Sequence, residues 1–205
     1  MFDSHIRPHI DPPLNHVAKM LARFGVSADT LTFIGFGFAV CCFIALAFGL
    51  YGAAIIFVVL NRLMDGLDGP LSRQTQSTDL GGYLDIVFDF IFYSGVIFFF
   101  ALGLNGLTVN VALAAAFLIF SFMGTSTSFL AYAIMATKRG ENHEEQGKKT
   151  FFYAQGLAEG TETILVLLLI CIFPAQFVPI AYTYGFICWL TTFGRVMLAH
   201  NNFKA

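Results

Sequence analysis

Long apolar segments, separated by short polar ones, make up most of the chain. Six of them are about 20 residues long, the length that an α-helix needs to cross a bilayer core of ~30 Å at 1.5 Å per residue. They cover about residues 30–50, 52–73, 81–103, 109–136, 152–173 and 178–199. The pattern therefore predicts an all-α integral membrane protein with six transmembrane helices.

The N-terminal segment has a different pattern. Residues 1–28 are predicted to be a polar segment and a short amphipathic interfacial helix, which precede a transmembrane domain of residues 29–205. The apolar positions of this helix recur at helical spacing and are Leu14, Val17, Leu21 and Phe24. Such a helix lies in the headgroup layer or packs on the cytosolic end of its own protein, and both can hold at once. Asp29 is the predicted N-cap of the first span.

Composition agrees with a membrane protein, and the basic residues give its orientation. The chain is 57% hydrophobic and 12% charged, against about 25% charged residues in a typical soluble domain. All 11 Lys and Arg lie near the termini or around the connections two–three and four–five. By the positive-inside rule these are the cytosolic ends, so both termini are predicted to be cytosolic in a cytoplasmic membrane. The net charge of −2 argues against a nucleic-acid partner.

The most polar part of the membrane domain begins at the end of span two. It holds two pairs of carboxylates, three residues apart in the first pair and four in the second: Asp65, Asp68, Asp85 and Asp89. Both spacings place a pair on one helix face, and spans two and three are expected to be antiparallel neighbours whose pairs face each other. Four close carboxylates repel one another, and an all-oxygen cluster suits a hard cation such as Mg²⁺ or Mn²⁺. The stretch is therefore predicted to be a divalent-metal site that opens to the cytosol.

An arginine and several glycines within the same stretch point to a phosphate ligand. Arg73 offers a planar fork of donors that matches phosphate oxygens. Gly69 and Gly81 lack a Cβ, so a ligand can approach their backbone closely. Pro70 is expected to disturb the helix, since it removes a donor and clashes one turn back. Irregular backbone at membrane depth is tolerated where it lines a polar cavity.

These residues together resemble the signature of the CDP-alcohol phosphotransferases, also called CDP-alcohol phosphatidyltransferases. That signature is an Asp, two residues, Asp-Gly, two residues, a small residue and Arg, and later Gly, three residues, Asp, three residues and Asp. Its elements in this chain are Asp65, Asp68-Gly69, Ser72-Arg73, Gly81, Asp85 and Asp89. Ser72 departs from the pattern, because Ala is usual there. The segments GVSADTLTFIG and GLAEGTETI extend the resemblance, the second of them to a bacterial branch of the family.

The resemblance implies a phospholipid-synthesising enzyme. Such an enzyme transfers a substituted phosphate group from a CDP-linked donor, with CDP-diacylglycerol expected here, to the hydroxyl of an alcohol and releases CMP. It implies that all four aspartates hold two divalent ions and that Asp89 is also the base that deprotonates the acceptor. The residues implied in donor binding are Gly66, Asp68, Gly69, Arg73 and Gly81. The resemblance also implies a homodimer.

The sequence does not identify the acceptor alcohol, because two groups of residues indicate different kinds of acceptor. Glu159 and Glu162 lie on one face, two to three turns inside a span that would begin near residue 152, and Arg195 lies at similar depth in span six. These three residues either form a buried pair that ties the two spans together or line a pocket for an amine or polyhydroxyl acceptor. In the loop before span five, Lys148 and Lys149 either bind an acceptor phosphate or contact anionic lipids.

Two other classes of protein fit part of the pattern. A divalent-cation transporter explains carboxylates in a membrane helix, but not Arg73 beside a cation site. A membrane prenyltransferase also uses Mg²⁺ and aspartates to bind a diphosphate, but its aspartate motifs usually lie far apart in the sequence. Here the four aspartates fall within 25 residues, which argues against a prenyltransferase.

Overall fold

The structure is a computed structural model that describes residues 3–76, 78–104, 106–139 and 157–204. Within these ranges it consists of α-helices, one 3₁₀ turn and their connections, without a strand. The helices are α1 (Asp3–Arg23), α2 (Ala28–Ala47), α3 (Tyr51–Ser72), α4 (Asp79–Gly103), α5 (Val109–Lys138), α6 (Gly160–Ile172) and α7 (Phe177–Phe203). The 3₁₀ turn, Pro174–Gln176, leads directly into α7. The all-α class predicted from the sequence is confirmed.

Four of the described helices are long and apolar enough to cross a membrane. They are α2, α4, α5 and the continuous segment Pro174–Phe203 that contains α7. Of the other two predicted spans, α3 has 22 residues but a polar second half. The 13 residues of α6 reach only about 20 Å at 1.5 Å per residue. The structure thus supports a multi-pass membrane protein, whereas the full count of six spans stays a prediction.

Hydroxyl side chains cap the N-terminal ends of α2, α4 and α5. Ser27, not Asp29, caps α2, because its Oγ accepts a hydrogen bond from the backbone N–H of Thr30 at 3.2 Å. Thr78 caps α4 and Thr108 caps α5 in the same way. A hydroxyl at this position satisfies one of the backbone donors that a helix leaves free. The prediction for Asp29 was therefore wrong, and its carboxylate is available for another contact described below.

Helix α1 is longer than predicted and packs on its own protein. It begins at Asp3 rather than near Leu14, and its apolar face lies on α3. The contact consists of a small buried cluster, Ala18, Leu31, Leu67 and Leu71, with Leu14, Val17 and Leu21 around it. Of the two locations predicted for this helix, packing on the protein itself is observed, while Met20 and Phe24 remain exposed on other sides.

Helix α2 packs against both α3 and α4 and so brings the two aspartate pairs to one place. The approach of α2 and α4 is very close, since a Cβ at Gly95 would overlap the ring of Phe43 and one at Gly103 would overlap the carbonyl of Leu46. Nearer the aspartates, the rings of Phe36 and Phe88 stack with centroids 4.1 Å apart. Helices α5 and α7 form the other half of the bundle, and α6 packs against α3 and α7.

Pro70 does not interrupt α3, contrary to the prediction. The helix continues through it to Ser72, whose hydroxyl donates to the carbonyl of Gly69 at 2.9 Å. Pro70 has no N–H to donate to the carbonyl of Gly66 one turn earlier.

Candidate active site

Three of the four aspartates form a compact cluster between α3 and α4. Asp65, Asp68 and Asp85 each offer a carboxylate oxygen, and these oxygens all lie within 4.8 Å of one another. All three side chains are partly buried, and the hydroxyl of Thr32 on α2 donates to Asp68 Oδ2 at 3.4 Å. Three converging carboxylates fit a hard divalent cation, because that ion prefers oxygen ligands and offsets their repulsion. The donor set therefore agrees with the metal predicted from the sequence, without identifying the ion.

The fourth aspartate, Asp89, lines one cavity together with the three clustered carboxylates, but it has a different hydrogen-bond partner. Its Oδ1 accepts a hydrogen bond from Arg62 Nη2 at 2.6 Å. Arg62 also donates through Nη1 to Asp65 Oδ2 at 3.4 Å and to the Tyr93 hydroxyl at 2.9 Å, and through Nε to Asn61 Oδ1 at 2.8 Å. The arginine side chain is 11% exposed, against 28% for Asp89. Arg62 thus contacts both Asp89 and Asp65, and its shorter contact is with Asp89.

The sequence pattern does not single out this arginine or its supporting residues, since Arg62 lies at the cytosolic end of a predicted span and Tyr93 lies within an apolar one. Two signals were present: Arg62 precedes Asp65 by three residues, and Tyr93 follows Asp89 by four. Both spacings place the residues on one helix face.

A groove with a volume of about 390 Å³ adjoins the aspartate cluster. It is lined by the N-terminal ends of α2 and α4 and the C-terminal end of α3, through Ala28, Asp29, Thr32, Asp68, Gly69, Ser72, Thr78, Asp79, Gly81, Gly82 and Asp85. The Thr78 hydroxyl lies 3.1 Å from both carboxylate oxygens of Asp29, which links α2 to α4. Polar and small residues line the groove, which is open on one side and continuous with the three carboxylates through Asp68 and Asp85.

The residues predicted to bind the donor do not all line this groove. Gly69 lines it, and a Cβ there would lie 3.6 Å from Nη1 of the exposed Arg73. Gly81 also lines it, but the space that its Cβ would fill is taken by Asp29 and Thr78. Gly66 instead faces α1, where a Cβ would lie 3.4 Å from Leu14. The roles of these residues in donor binding stay predictions.

The residues considered for the acceptor lie around the start of α6. The helix begins at Gly160, so Glu159 is at the N-cap position and Glu162 in the first turn, rather than two to three turns inside. The reason is local, because the backbone N–H of Ala158 donates to the Thr191 hydroxyl at 3.0 Å instead of to a helical carbonyl. Lys148 and Lys149 lie outside the described residues.

Arg195 is buried between α5 and α7. Its Nη1 donates to the carbonyl of Thr125 at 2.8 Å, and its guanidinium lies 5.4 Å from the centre of the Phe129 ring. Glu159 interacts with it electrostatically. Of these contacts, only the interaction with Glu159 joins the predicted spans five and six, and the choice between a structural pair and an acceptor pocket stays a prediction.

An acidic, cation-compatible centre beside an open groove, in a bundle of apolar helices, is suited to a phosphate-bearing ligand with a lipid part. The profile of the family described as CDP-alcohol phosphatidyltransferase matches residues 26–197. The chain belongs to that family. It is therefore a transferase of phospholipid biosynthesis, which moves a substituted phosphate group from a CDP-linked donor to the hydroxyl of an alcohol.

The chain is also similar to individual proteins over its whole length. Inner membrane protein YnjF of Escherichia coli (strain K12) is 44% identical over 205 residues, which are 100% of this chain and 98% of that protein. Archaetidylinositol phosphate synthase of Pyrococcus horikoshii is 30% identical over 196 residues, 94% of each chain. The crystal structure of Mycobacterium tuberculosis phosphatidylinositol phosphate synthase with CDP-DAG bound has the same fold, with a TM-score of 0.65 and 18% identity over 91% of this chain and 92% of that one.

These findings confirm the resemblance seen in the aspartate stretch and decide between the classes considered. The family assignment favours the transferase over the cation transporter and the prenyltransferase. The apolar helices and the inner-membrane relative support a multi-pass protein of the inner membrane.

Proposed function

We propose that this protein uses CDP-diacylglycerol as donor and transfers its phosphatidyl group to a water-soluble polyhydroxyl acceptor. The observation that carries the proposal is the three-aspartate cluster, with oxygens within 4.8 Å of one another, beside an open groove of about 390 Å³. A nucleoside diphosphate needs both parts, a site for cations that offset its charge and a groove for its nucleoside. The solved relative with CDP-DAG bound supports this choice of donor.

In this proposal, Mg²⁺ or Mn²⁺ is held by Asp65, Asp68 and Asp85, and Asp89 lies beside them at the same cavity. When bound, two such ions offset the charge on the diphosphate and on the leaving phosphate. Gly69 leaves room for the donor beside Asp68, and the exposed Arg73 offers its fork to a phosphate oxygen. Gly81 lines the same groove, whereas Gly66 faces α1 and would act through the backbone of α3.

Asp89 is the proposed base. Its carboxylate takes the proton from the acceptor hydroxyl, whose oxygen then forms a bond to the β-phosphorus of the donor. The bond between that phosphorus and the bridging oxygen breaks, and the electron pair leaves with CMP. Asp89 suits this task because Arg62 engages only one of its two oxygens, at 2.6 Å.

The acceptor is proposed to reach Asp89 from the side of α6 and α7. Tyr93 lies one turn after Asp89 on α4, and Tyr184 lies on α7. Both rings pack on the ring of Phe122, with centroid distances of 6.4 Å for Tyr93 and 6.2 Å for Tyr184. Lys148 and Lys149 are the proposed ligands of an acceptor phosphate. Two relatives whose names contain inositol phosphate synthase make inositol phosphate the first acceptor to test.

The proposed arrangement in the membrane follows the distribution of charge. Six spans, cytosolic termini and an active site open to the cytosol would give both the CDP donor and a soluble acceptor direct access. A homodimer is proposed from the family resemblance alone.

The test is metal-dependent release of CMP. Purified protein in detergent is given CDP-diacylglycerol, Mg²⁺ or Mn²⁺, and one acceptor at a time: inositol phosphate, inositol, glycerol 3-phosphate, phosphatidylglycerol, serine or choline. We expect CMP with inositol phosphate and no CMP after removal of the metal with EDTA. CMP with a different acceptor would correct the acceptor, and binding of CDP-diacylglycerol without CMP from any of them would contradict the proposed transfer.

A further inference from the structure

Arg62 is a buried cation among the carboxylates that are proposed to hold the metal. Three helices fix its position. The Nε of Arg62 donates to the side-chain oxygen of Asn61. Asn61 is held by α2 in turn, because its Nδ2 donates to the carbonyl of Gly35 at 2.8 Å. On α4, the Phe92 ring centre lies 4.6 Å from the guanidinium carbon and that of Tyr93 lies 5.1 Å from it.

The contacts of Arg62 use four of its five N–H donors, one each for Asn61, Asp65, Tyr93 and Asp89. A side chain held from three helices loses little further freedom when a ligand binds, so it can fix the position of another group. The shortest of these contacts is the bond to Asp89. The group whose position Arg62 fixes most tightly is therefore the proposed base.

We propose that Arg62 is a positioning residue for the transfer reaction. It holds Asp89 Oδ1 and turns the second carboxylate oxygen of Asp89 toward the acceptor hydroxyl, while Asp65, Asp68 and Asp85 hold the cation. The inference rests on the proposed function, because it assumes that Asp89 is the base. It assigns metal binding to three of the four aspartates and proton removal to the fourth, a difference that the spacing of the four in the sequence does not show.

This arrangement has an electrostatic consequence with a definite sign. Arg62 lies 3.4 Å from Asp65 Oδ2, so its positive charge weakens the attraction of the cluster for a divalent cation. Loss of the charge should make cation binding tighter, although loss of the fork should make catalysis slower. A purely structural arginine would move both quantities in the same, unfavourable direction.

The experiment measures both quantities on the full-length protein. Mn²⁺ binding is followed by electron paramagnetic resonance without donor or acceptor, and kcat and KM by CMP release. For Arg62→Gln we expect Mn²⁺ to bind about three- to tenfold more tightly, and kcat to fall about a hundredfold with KM for CDP-diacylglycerol nearly unchanged. Arg62→Lys keeps the charge but not the fork, so Mn²⁺ affinity should stay near that of the unchanged protein while kcat still falls.

Two further variants complete the test. Arg139→Gln is the matched control, because Arg139 also lies over an aromatic ring, at 5.1 Å from Phe203, but bonds to backbone carbonyls of α7. It should change neither quantity. If Arg62→Gln does not fold, Tyr93→Phe removes a single acceptor of Arg62 without a change of charge, and it should lower kcat severalfold at constant Mn²⁺ affinity.

Weaker Mn²⁺ binding by Arg62→Gln, or a kcat within twofold of the unchanged protein, would overturn the inference. So would an unchanged kcat in Tyr93→Phe. Failure of the unchanged protein to release CMP would instead overturn the proposed function. In that case the Mn²⁺ measurement still supports or overturns the electrostatic role of Arg62.

Discussion

Asp89 and the other three aspartates have the same side chain but different surroundings. Asp65, Asp68 and Asp85 converge with oxygens within 4.8 Å of one another, which is an arrangement for a shared cation. Asp89 is paired at 2.6 Å with a guanidinium that is only 11% exposed. Asp89 Oδ1 thus accepts a hydrogen bond from Arg62, and in the proposed reaction the second carboxylate oxygen takes the proton of the acceptor hydroxyl.

The Asp89→Asn variant tests this difference directly. An amide oxygen is a far weaker base, so kcat should fall by about 10²- to 10⁴-fold. CDP-diacylglycerol should still bind within a few-fold of its usual affinity, since the three clustered carboxylates remain. CMP release and donor-binding titration measure the two effects, with the exposed Asp11→Asn as control. Near-normal turnover would remove Asp89 from the role of base.

Two adjacent glycines at the start of α4 give a matched pair. A Cβ at Gly81 would overlap Asp29 and the capping hydroxyl of Thr78, whereas one at Gly82 would meet nothing within 4 Å. Gly82→Ala should stabilise the helix slightly, and Gly81→Ala should disturb the cap. We expect Gly81→Ala to have a free energy of unfolding lower than that of Gly82→Ala by about 1–2 kcal/mol. Chemical denaturation in detergent measures it, and equal stability would contradict this packing.

The sequence predicted the aspartate pairs but not the residues that distinguish them. Spacings of three and four residues reveal which carboxylates share a helix face, and that information is local. The bond from Arg62 to Asp89 joins residues 27 positions apart, and the one from Thr78 to Asp29 joins residues 49 apart. Such contacts depend on how helices cross, which hydrophobic periodicity does not specify.

At the scale of elements, most helix boundaries followed from apolar segments, and the exceptions have local causes. Helix α3 continues through Pro70 and ends at Ser72. Helix α6 begins late, at Gly160, because Ala158 is bonded to Thr191 of α7. A hydropathy pattern shows where a helix can lie, but the residue at which it begins depends on such single contacts.

The start of α6 is also where the roles of two glutamates can be separated. In the double variant Glu159→Gln with Glu162→Gln, Arg195 loses the carboxylate that interacts with it but keeps the carbonyl of Thr125. We expect the free energy of unfolding to fall by about 2 kcal/mol, with the order of preferred acceptors unchanged. A changed order at full thermal stability would instead assign these glutamates to the acceptor pocket.

At the scale of the whole molecule, the proposed site is divided between two halves of the chain. The carboxylates, Arg62 and the groove belong to α2, α3 and α4. The residues considered for the acceptor belong to α6, α7 and the segment before them. Relatives with different acceptors can therefore share the first half and differ in the second.

The proposed orientation can be tested with single cysteines. Gln74→Cys and Asn201→Cys lie at the ends predicted to be cytosolic, and Leu107→Cys lies in the turn between α4 and α5. A membrane-impermeant maleimide should label the first two in inside-out vesicles and the third in intact spheroplasts. The unchanged protein is the control, because its four cysteines lie within helices. Labelling of all three variants from one side would contradict six spans.

The ion pair within α3 also bears on how the chain enters the membrane during synthesis. Arg62 precedes Asp65 by three residues, and the two side chains are 3.4 Å apart on one helix. An intrahelical pair of this kind can form as soon as the helix does, before α4 and its aspartates have left the ribosome. A lone carboxylate in lipid is costly, so we expect the arginine to lower the cost of inserting the first of the four aspartates before α4 is present.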